Sequence, residues 1–370
     1  MPTGHRVQRS HGDTGGRHAV HAVHRVHAVQ GVGEAHGGRQ GGPRRAWRRA
    51  ARAAAGPDRR PRAVGVTVGV TVTLTASYER CRRLHARHGR SYYLATRLLP
   101  AWKRRHVHAL YGFARYADEI VDSFDGTVDR ARALDAFCAD VAAGLAGEPT
   151  RDAVLPAFLH TVRSFGVDHA DIAAFLRAMR ADLTVTRYPT YRDLLGYMDG
   201  SAAAIGTMML PILETEPGAE REAREPARQL GLAFQLTNFL RDVAEDLARG
   251  RVYLPLEDMA AFGVTEADLA RPYTARAVRE LLAFEAERAR EHYRAAEPGI
   301  EMLIPSSRPC IRAARELYGG ILTEIERSGF AVLERRVRVP RRRRLATFAR
   351  HLLLSAASGR AELRAVVDAP

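Results

Sequence analysis

Apolar residues recur every three to four positions through most of the chain after Leu74, and this spacing predicts helices. The pattern covers ten segments, at residues 78–88, 101–124, 131–146, 153–165, 169–183, 191–213, 223–249, 274–296, 309–327 and 341–355. Glycine and proline interrupt it between segments, as at 147–149 and 216–218. Strand-like alternation is nearly absent, and no proline- or serine-rich linker divides the segments. The pattern therefore predicts an all-α, single-domain helical bundle.

The segment at 223–249 carries a line of polar groups beside its apolar face. Asn238, Asp242 and Asp246 follow at four-residue spacing, which stacks three oxygen-bearing side chains about 6 Å apart along the helix. Gln235 and Arg249 extend the same stripe. For an isolated pair of aspartates at this spacing, a solvated acidic face is the commoner explanation. A second acidic stripe favours a binding site over a solvated acidic face.

The second stripe lies on the segment at 101–124, where Tyr111, Arg115, Asp118 and Asp122 share one face between apolar neighbours. Like charges at this spacing repel, and inward-facing carboxylates are costly without a cation. Two such helices predict a shared cleft that holds metal. Mg²⁺ fits, because proteins bind it with a few carboxylates, waters and substrate phosphates, and Mn²⁺ is the alternative. The implied substrate is a diphosphate.

Residues 1–75 differ from the rest in composition. They hold seven of the 15 histidines and about 13 arginines against three acids, with few large apolar residues. Such a composition buries too little apolar surface to offset chain entropy, so we expect a low-complexity, disordered extension before a folded domain at 76–370. The extension supplies about +10 of the formal net charge of +15. The basic composition is therefore weak evidence for nucleic acid, and no nucleic-acid partner is expected.

Two composition features bear on the location of the protein. Cys81, Cys138 and Cys310 are too few and too scattered for a disulfide framework or a zinc site, which fits a reducing cytoplasm. No apolar stretch reaches about 18 residues, so no membrane-spanning helix is expected.

Two further stretches can each be explained in two ways. Arg90 and Ser91 begin a basic and hydroxyl cluster that could hold an anion, although an ordinary loop and helix start explain it equally well. The small residues at 201–206 either let backbones approach closely or leave room for a long apolar chain.

Residues 78–345 resemble the squalene/phytoene synthase family, most closely its phytoene synthases of actinobacterial type. The matching stretches are residues 91–100, 109–122, 187–191 and 234–255, and residues 335–340 resemble the family's closing basic motif. The resemblance implies a helical bundle of the isoprenoid (class I prenyl/terpene) synthase type. It also implies a prenyltransferase of carotenoid biosynthesis that joins two geranylgeranyl diphosphates head to head (1'-1). The product, formed through prephytoene diphosphate with release of diphosphate, is phytoene, and no NADPH is expected.

The resemblance also implies roles for individual residues. The expected metal ligands are Asp118, Asp122, Asn238, Asp242 and Asp246. The groups expected to bind diphosphate are Arg90, Ser91, Tyr93, Arg115, Gln235, Asn238 and Arg241. The tyrosines expected near the reacting centre are Tyr111, Tyr188 and Tyr318, and core packing is the alternative for the last two. The family often has aspartate where Glu119 stands, and serine or phenylalanine at the position of Tyr93.

Other functions remain open at this stage. A squalene, dehydrosqualene or presqualene diphosphate synthase would use the shorter farnesyl diphosphate. A terpene cyclase or chain-elongating prenyltransferase shares paired acidic helices, but the Tyr-Leu-Pro sequence ending at Pro255 argues against it. A catalytically silent helical interaction protein would lose its acidic positions, and here the four aspartates are present. Because substrate and product are lipids, we expect peripheral contact with the inner face of the cell membrane. The sequence predicts no oligomeric state.

Overall fold

The computed structural model describes residues 73–123 and 129–367, with side chains as far as residue 355. The expected low-complexity extension at 1–75 therefore lies almost wholly outside the described residues.

The described residues form helices joined by short turns. Their bounds are α1 Leu74–His88, α2 Arg90–Thr96, α3 Ala101–Val121, α4 Arg130–Leu145, α5 Leu155–Phe165, α6 His169–Ala181, α7 Tyr191–Met198, α8 Ala204–Leu213, α9 Arg224–Ala248, α10 Leu256–Ala261, α11 Glu266–Leu269, α12 Arg276–Glu301, α13 Arg308–Arg327 and α14 Arg341–Val367. A π-helical turn, Asp199–Ala203, joins α7 to α8. The only β-bridge within this part of the chain pairs Thr215 with Leu303. The all-α prediction is confirmed.

Most helix bounds fall within a few residues of the predicted segments. One exception is α2, which the apolar pattern does not predict because a seven-residue helix is too short to show a period. Another is α12, which was predicted to end before Pro298 but continues through it to Glu301. Pro226 of α9 packs against Gly299 just beyond that proline, so packing between the two helices overrides the local preference.

Two apolar clusters form the core. The first gathers α1 to α6 with α8, and the second gathers α9 to α12 with the second half of α13. Helix α9 lies along α12 and contacts α8 and α13. At Gly206 and Gly231 a Cβ atom would lie 2.2 Å and 2.4 Å from carbonyl oxygens of neighbouring helices. These glycines therefore bring α8 and α9 into backbone contact, as one explanation of the small-residue run predicted.

Lys103 ties three of these elements together from a fully buried position. Its Nζ donates to the Leu213 carbonyl oxygen at 2.7 Å and to Ser307 Oγ at 3.0 Å. It also pairs with Glu214 Oε2 at 2.6 Å. The start of α3, the end of α8 and the start of α13 are thereby joined at one point. None of the helices in the described ranges is both long and apolar enough to cross a bilayer.

We expect Lys103→Met to lower the free energy of unfolding by about 2–4 kcal/mol, because hydrogen bonds from a buried charged donor are lost. Glu214 is partly exposed and can turn to water, which keeps the loss below that of a fully buried ion pair. Urea denaturation measures the change. The control is Arg276→Met, whose side chain is 92% exposed. Equal stabilities for the two variants would contradict a structural role for Lys103.

Candidate active site

Helices α3 and α9 line one open cleft of about 520 Å³. From the predicted set, Tyr111, Arg115, Asp118, Asp122, Gln235, Asn238, Arg241, Asp242, Asp246 and Tyr318 all line this cleft. The two acidic stripes, 116 residues apart from Asp122 to Asn238 in the chain, thus meet at one site.

The amphipathic character of α3 directs its acidic stripe into the cleft. Phe113, Ala117 and Val121 are buried in the first apolar cluster, so the opposite face carries Asp118 outward. Asp122 follows as the C-cap residue of the helix. Helix α9 is oriented in the same way by its buried face, which packs in the second cluster.

Arginines partly neutralise these carboxylates. Arg115 Nη1 donates to Asp118 Oδ2 at 2.6 Å, and Arg251 Nη1 donates to Asp122 Oδ1 at 2.7 Å.

Asp242 has two arginine partners. Arg241 Nη2 donates to Asp242 Oδ2 at 2.5 Å. Arg336, from the segment after α13, donates through Nη2 to Asp242 Oδ2 at 2.9 Å and forms an ion pair through Nη1 with Glu245 at 3.0 Å. Ion pairs therefore link α9 to the segment after α13 at the cleft.

Burial, together with the remaining negative charge, raises the pKa values of two cleft carboxyls. Burial and the charge of Asp122 raise the pKa of Asp118 to about 6, although 44% of its side-chain surface is open. Burial and the charge of Asp242 raise the pKa of Asp246 to about 7. Both ions are thus destabilised in the protein alone, and a cation in the cleft would stabilise them.

One amide atom in the cleft wall also lacks a partner. Asn238 Oδ1 is buried, and no group of the described chain donates to it. Within residues 73–123 and 129–367, no three His, Cys, Asp or Glu side chains stand close enough together to hold one ion. The carboxylate and amide oxygens fit a hard cation such as Mg²⁺ only if waters or a ligand complete its coordination.

An apolar tunnel of about 310 Å³ opens into this cleft beside Tyr111, Gln235 and Asn238. Along α9 it extends from Asn238 to Pro226, about 18 Å at 1.5 Å per residue. Its other walls come from α2, α3, α8 and the facing ends of α12 and α13. Ser201, Ala202, Ile205 and Gly206 line it as well, so the small-residue run serves both purposes that the sequence left open.

A second cavity, of about 560 Å³, adjoins the cleft and is rich in arginine. Arg241 and Arg336 line both spaces. The predicted residues Arg90 and Ser91 lie here and not in the cleft itself. The residues that line it are Arg90, Ser91, Arg241, Ile321, Arg336, Val337, Arg338, Val339, Pro340, Arg341 and Arg344.

Aromatic rings form the boundary between cleft and tunnel. Tyr111 stacks on His85, with centroids 4.1 Å apart. Tyr318 stacks on Tyr92, with centroids 4.2 Å apart. Burial raises the pKa of the Tyr111 and Tyr318 hydroxyls, so both stay neutral.

Besides Arg90 and Ser91, two more predicted residues do not line the cleft. Tyr93 faces a groove on the other side of α2, where its hydroxyl accepts a hydrogen bond from Arg82 Nη1 at 3.1 Å. Tyr188 is buried beneath the cleft floor, packed against the cleft-lining rings of Tyr197 and Tyr253.

The structure adds cleft residues that the sequence did not single out. Asp182 accepts a hydrogen bond from the Tyr197 hydroxyl at 2.7 Å, while its Oδ1 is buried without a partner. Burial raises its pKa to about 7. The sequence signal that could have revealed Asp182 is a single carboxylate at the end of an apolar helix. Tyr92, Arg251 and Arg336 are further additions, which lie in stretches that match the family but to which the resemblance gave no role.

Comparison with known proteins identifies relatives of this chain. The family model for squalene/phytoene synthase matches residues 85–343. A phytoene synthase from Arthrospira platensis is 38% identical over 274 residues, covering 71% of this chain and 88% of that protein. A 15-cis-phytoene synthase from Synechococcus elongatus is 35% identical over 281 residues, covering 74% and 91%.

Solved structures give the same relationship. A dehydrosqualene synthase in complex with ligand matches with a TM-score of 0.70 and 27% identity, covering 75% of this chain and 96% of that chain. A squalene synthase from Alicyclobacillus acidocaldarius matches with a TM-score of 0.63 and 28% identity, covering 71% and 98%. This chain belongs to the squalene/phytoene synthase family.

Proposed function

We propose that the protein is a phytoene synthase, which joins two geranylgeranyl diphosphates head to head through prephytoene diphosphate to phytoene and releases diphosphate. The observation that carries the proposal is an acidic and arginine-lined cleft that opens directly into a long apolar tunnel. Such a site accommodates a diphosphate at one end and a prenyl chain at the other. The identity of 35% and 38% to phytoene synthases supports this choice within the family. We assign the whole activity to the domain at 76–370.

Ionisation of an allylic diphosphate places negative charge on the leaving group, which fixed positive groups stabilise. Arg115 and Arg241 lie in the cleft for this role, and Gln235 adds an amide donor. Arg90 and Ser91, which line the adjoining cavity, would hold a second diphosphate. The planar fork of arginine suits phosphate oxygens.

Mg²⁺ or Mn²⁺, bound by Asp118, Asp122, Asn238, Asp242 and Asp246 together with waters and substrate phosphates, would supply further positive charge for the leaving group. The raised carboxyl pKa values and the unpartnered Asn238 oxygen support this ligand set.

The carbocation formed at C1 must meet the double bond of the second chain before water reaches it. The tunnel walls are apolar and exclude water. Tyr111, which lines both cleft and tunnel, and Tyr318, which lines the cleft, would stabilise positive charge through their rings and neutral hydroxyls without trapping it. Tyr188 supports the cleft floor from beneath.

The product assay tests the proposal directly. The full-length protein is incubated with geranylgeranyl diphosphate and Mg²⁺, without and with NADPH, and the hydrocarbon extract is identified. We expect phytoene in both reactions. A C30 hydrocarbon from farnesyl diphosphate, with nothing from the C20 substrate, would assign the protein to squalene or dehydrosqualene synthesis instead.

Removing a proposed metal-binding carboxylate should abolish turnover without unfolding the protein. We expect Asp118→Asn and Asp242→Asn each to lower kcat/KM by at least about a hundredfold, since positive charge at the leaving group is lost. Circular dichroism checks the helical fold. Near-normal activity of either variant at limiting Mg²⁺ would refute the ligand assignment. The control is Glu280→Gln, which removes an exposed carboxylate that does not line the cleft.

The position of Tyr111 can be tested from a neighbouring glycine. A Cβ atom at Gly89 would lie 2.7 Å from the rings of both His85 and Tyr111. We expect Gly89→Ala to displace Tyr111 and lower kcat by about tenfold to a hundredfold. Gly196→Ala is the matched control, because a Cβ atom there meets open space. Unchanged kcat in Gly89→Ala would mean that the ring position is not important for turnover.

Tunnel length should determine substrate length. Ala227 lines the tunnel near the end remote from the cleft. Ala227→Phe would displace at least two methylene groups of a C20 chain, at about 0.8 kcal/mol each, which corresponds to about a tenfold loss in kcat/KM. We expect little loss with farnesyl diphosphate. Ala295→Phe, at an exposed position of α12, is the control. An equal loss for both substrates would mean that the prenyl chain does not lie in this tunnel.

A further inference from the structure

Helix α14 presents leucines to solvent. Leu345, Leu352 and Leu353 are 61%, 47% and 74% exposed. At 100° per residue they lie within an arc of about 100°, and we call this surface the α14 leucine face. On the opposite side, Thr347 and His351 are buried against α13. Packing on α13 therefore holds the helix with its leucines outward.

Arginines border the α14 leucine face. The helix begins with four consecutive arginines, residues 341–344. Arg343 pairs with Glu324 at 2.9 Å. In the described part of the chain, the other three have no carboxylate within 4 Å. The start of the helix therefore carries net positive charge beside exposed apolar surface.

A groove of about 320 Å³ runs between α2 and α14, beside Leu345. Arg90, Arg97, Arg341 and Arg344 line it. Three of these arginines, all except Arg97, also line the arginine-rich cavity next to the cleft. Positive side chains thus continue from the α14 leucine face to the edge of the acidic cleft.

We propose that the α14 leucine face docks on a bilayer that contains anionic phospholipid. An apolar stripe flanked by arginine is typical of helices that lie in the plane of the membrane interface. The leucines insert among the acyl chains, and the arginines contact the phosphate headgroups. From Leu345 to Leu353 the stripe spans about 12 Å, which suits a helix lying flat on the surface. The docking surface depends on α14 alone and not on the proposed reaction.

A second copy of this chain is a poorer occupant. Two α14 leucine faces packed in parallel would bring their arginine runs together, and like charges repel. Packed antiparallel, each run would lie near residues 350–355 of the other copy, which include no Asp or Glu. The nearby acids Glu316 and Glu324 already bond to α14 side chains of the same chain. An anionic lipid surface supplies the missing negative charge and an apolar interior at once.

Vesicle flotation with the full-length protein tests the proposal. The vesicles contain phosphatidylcholine alone or with about 30 mol% phosphatidylglycerol. Binding is compared at about 0.15 M salt, and the arginine-rich N-terminal residues are present in every variant, so a difference between variants reports the leucines. We expect binding to the anionic vesicles, and at least about a fivefold loss in Leu352→Ser/Leu353→Ser. Leu74→Ser/Leu256→Ser removes two exposed leucines elsewhere and should bind like the wild type.

A tryptophan on the helix locates the contact independently. We expect the fluorescence of Leu353→Trp to shift to the blue with anionic vesicles and to be quenched by brominated lipid, whereas Leu256→Trp shows neither change. Circular dichroism confirms that the variants fold. Equal flotation of wild type and Leu352→Ser/Leu353→Ser, or a Leu353→Trp signal that does not respond, would overturn the proposal. Vesicle binding that duplex DNA competes away equally in both proteins would assign the arginine run to nucleic acid instead.

Discussion

The site depends on an imbalance of charge between two helices that are buried on their other faces. Helices α3 and α9 are held by the apolar core, so their carboxylates cannot turn away from one another. The arginines that reach the cleft neutralise Asp122 and Asp242, but the pKa values of Asp118 and Asp246 remain raised. Burial of apolar side chains thus stabilises an arrangement that electrostatics alone would oppose. The carboxylates of the cleft therefore favour binding of a cation.

Two of the arginines line both the cleft and the arginine-rich cavity. Arg241 and Arg336 bond to Asp242 in the free protein, yet both also face the arginine-rich cavity. A polyanionic ligand would compete with Asp242 for the same guanidinium groups. Its entry would exchange the ion pairs to Asp242 for ion pairs to the ligand, and Asp242 would then need another positive partner.

The acidic stripes were predictable because each lies on one helix, where four-residue spacing determines a common face. The apolar period likewise predicted most helices. Residues brought from separate elements were not predictable in this way. Tyr92 faces the cleft while its neighbour Tyr93 faces away, and this depends on the orientation of a seven-residue helix. Arg251 and Asp182 meet the cleft only through tertiary packing.

The π-helical turn at Asp199–Ala203 affects how the tunnel wall tolerates changes in chain length. A π turn holds one more residue than an α turn, and each residue of a helix advances its face by about 100°. Because the π turn absorbs its extra residue, deleting one residue there would restore regular α-helical bonding and leave Ile205 and Met209 on the same face of α8. A single-codon deletion in this turn would therefore change the cavity less than the same deletion inside a regular helix such as α9, where it would rotate the following residues by about 100°.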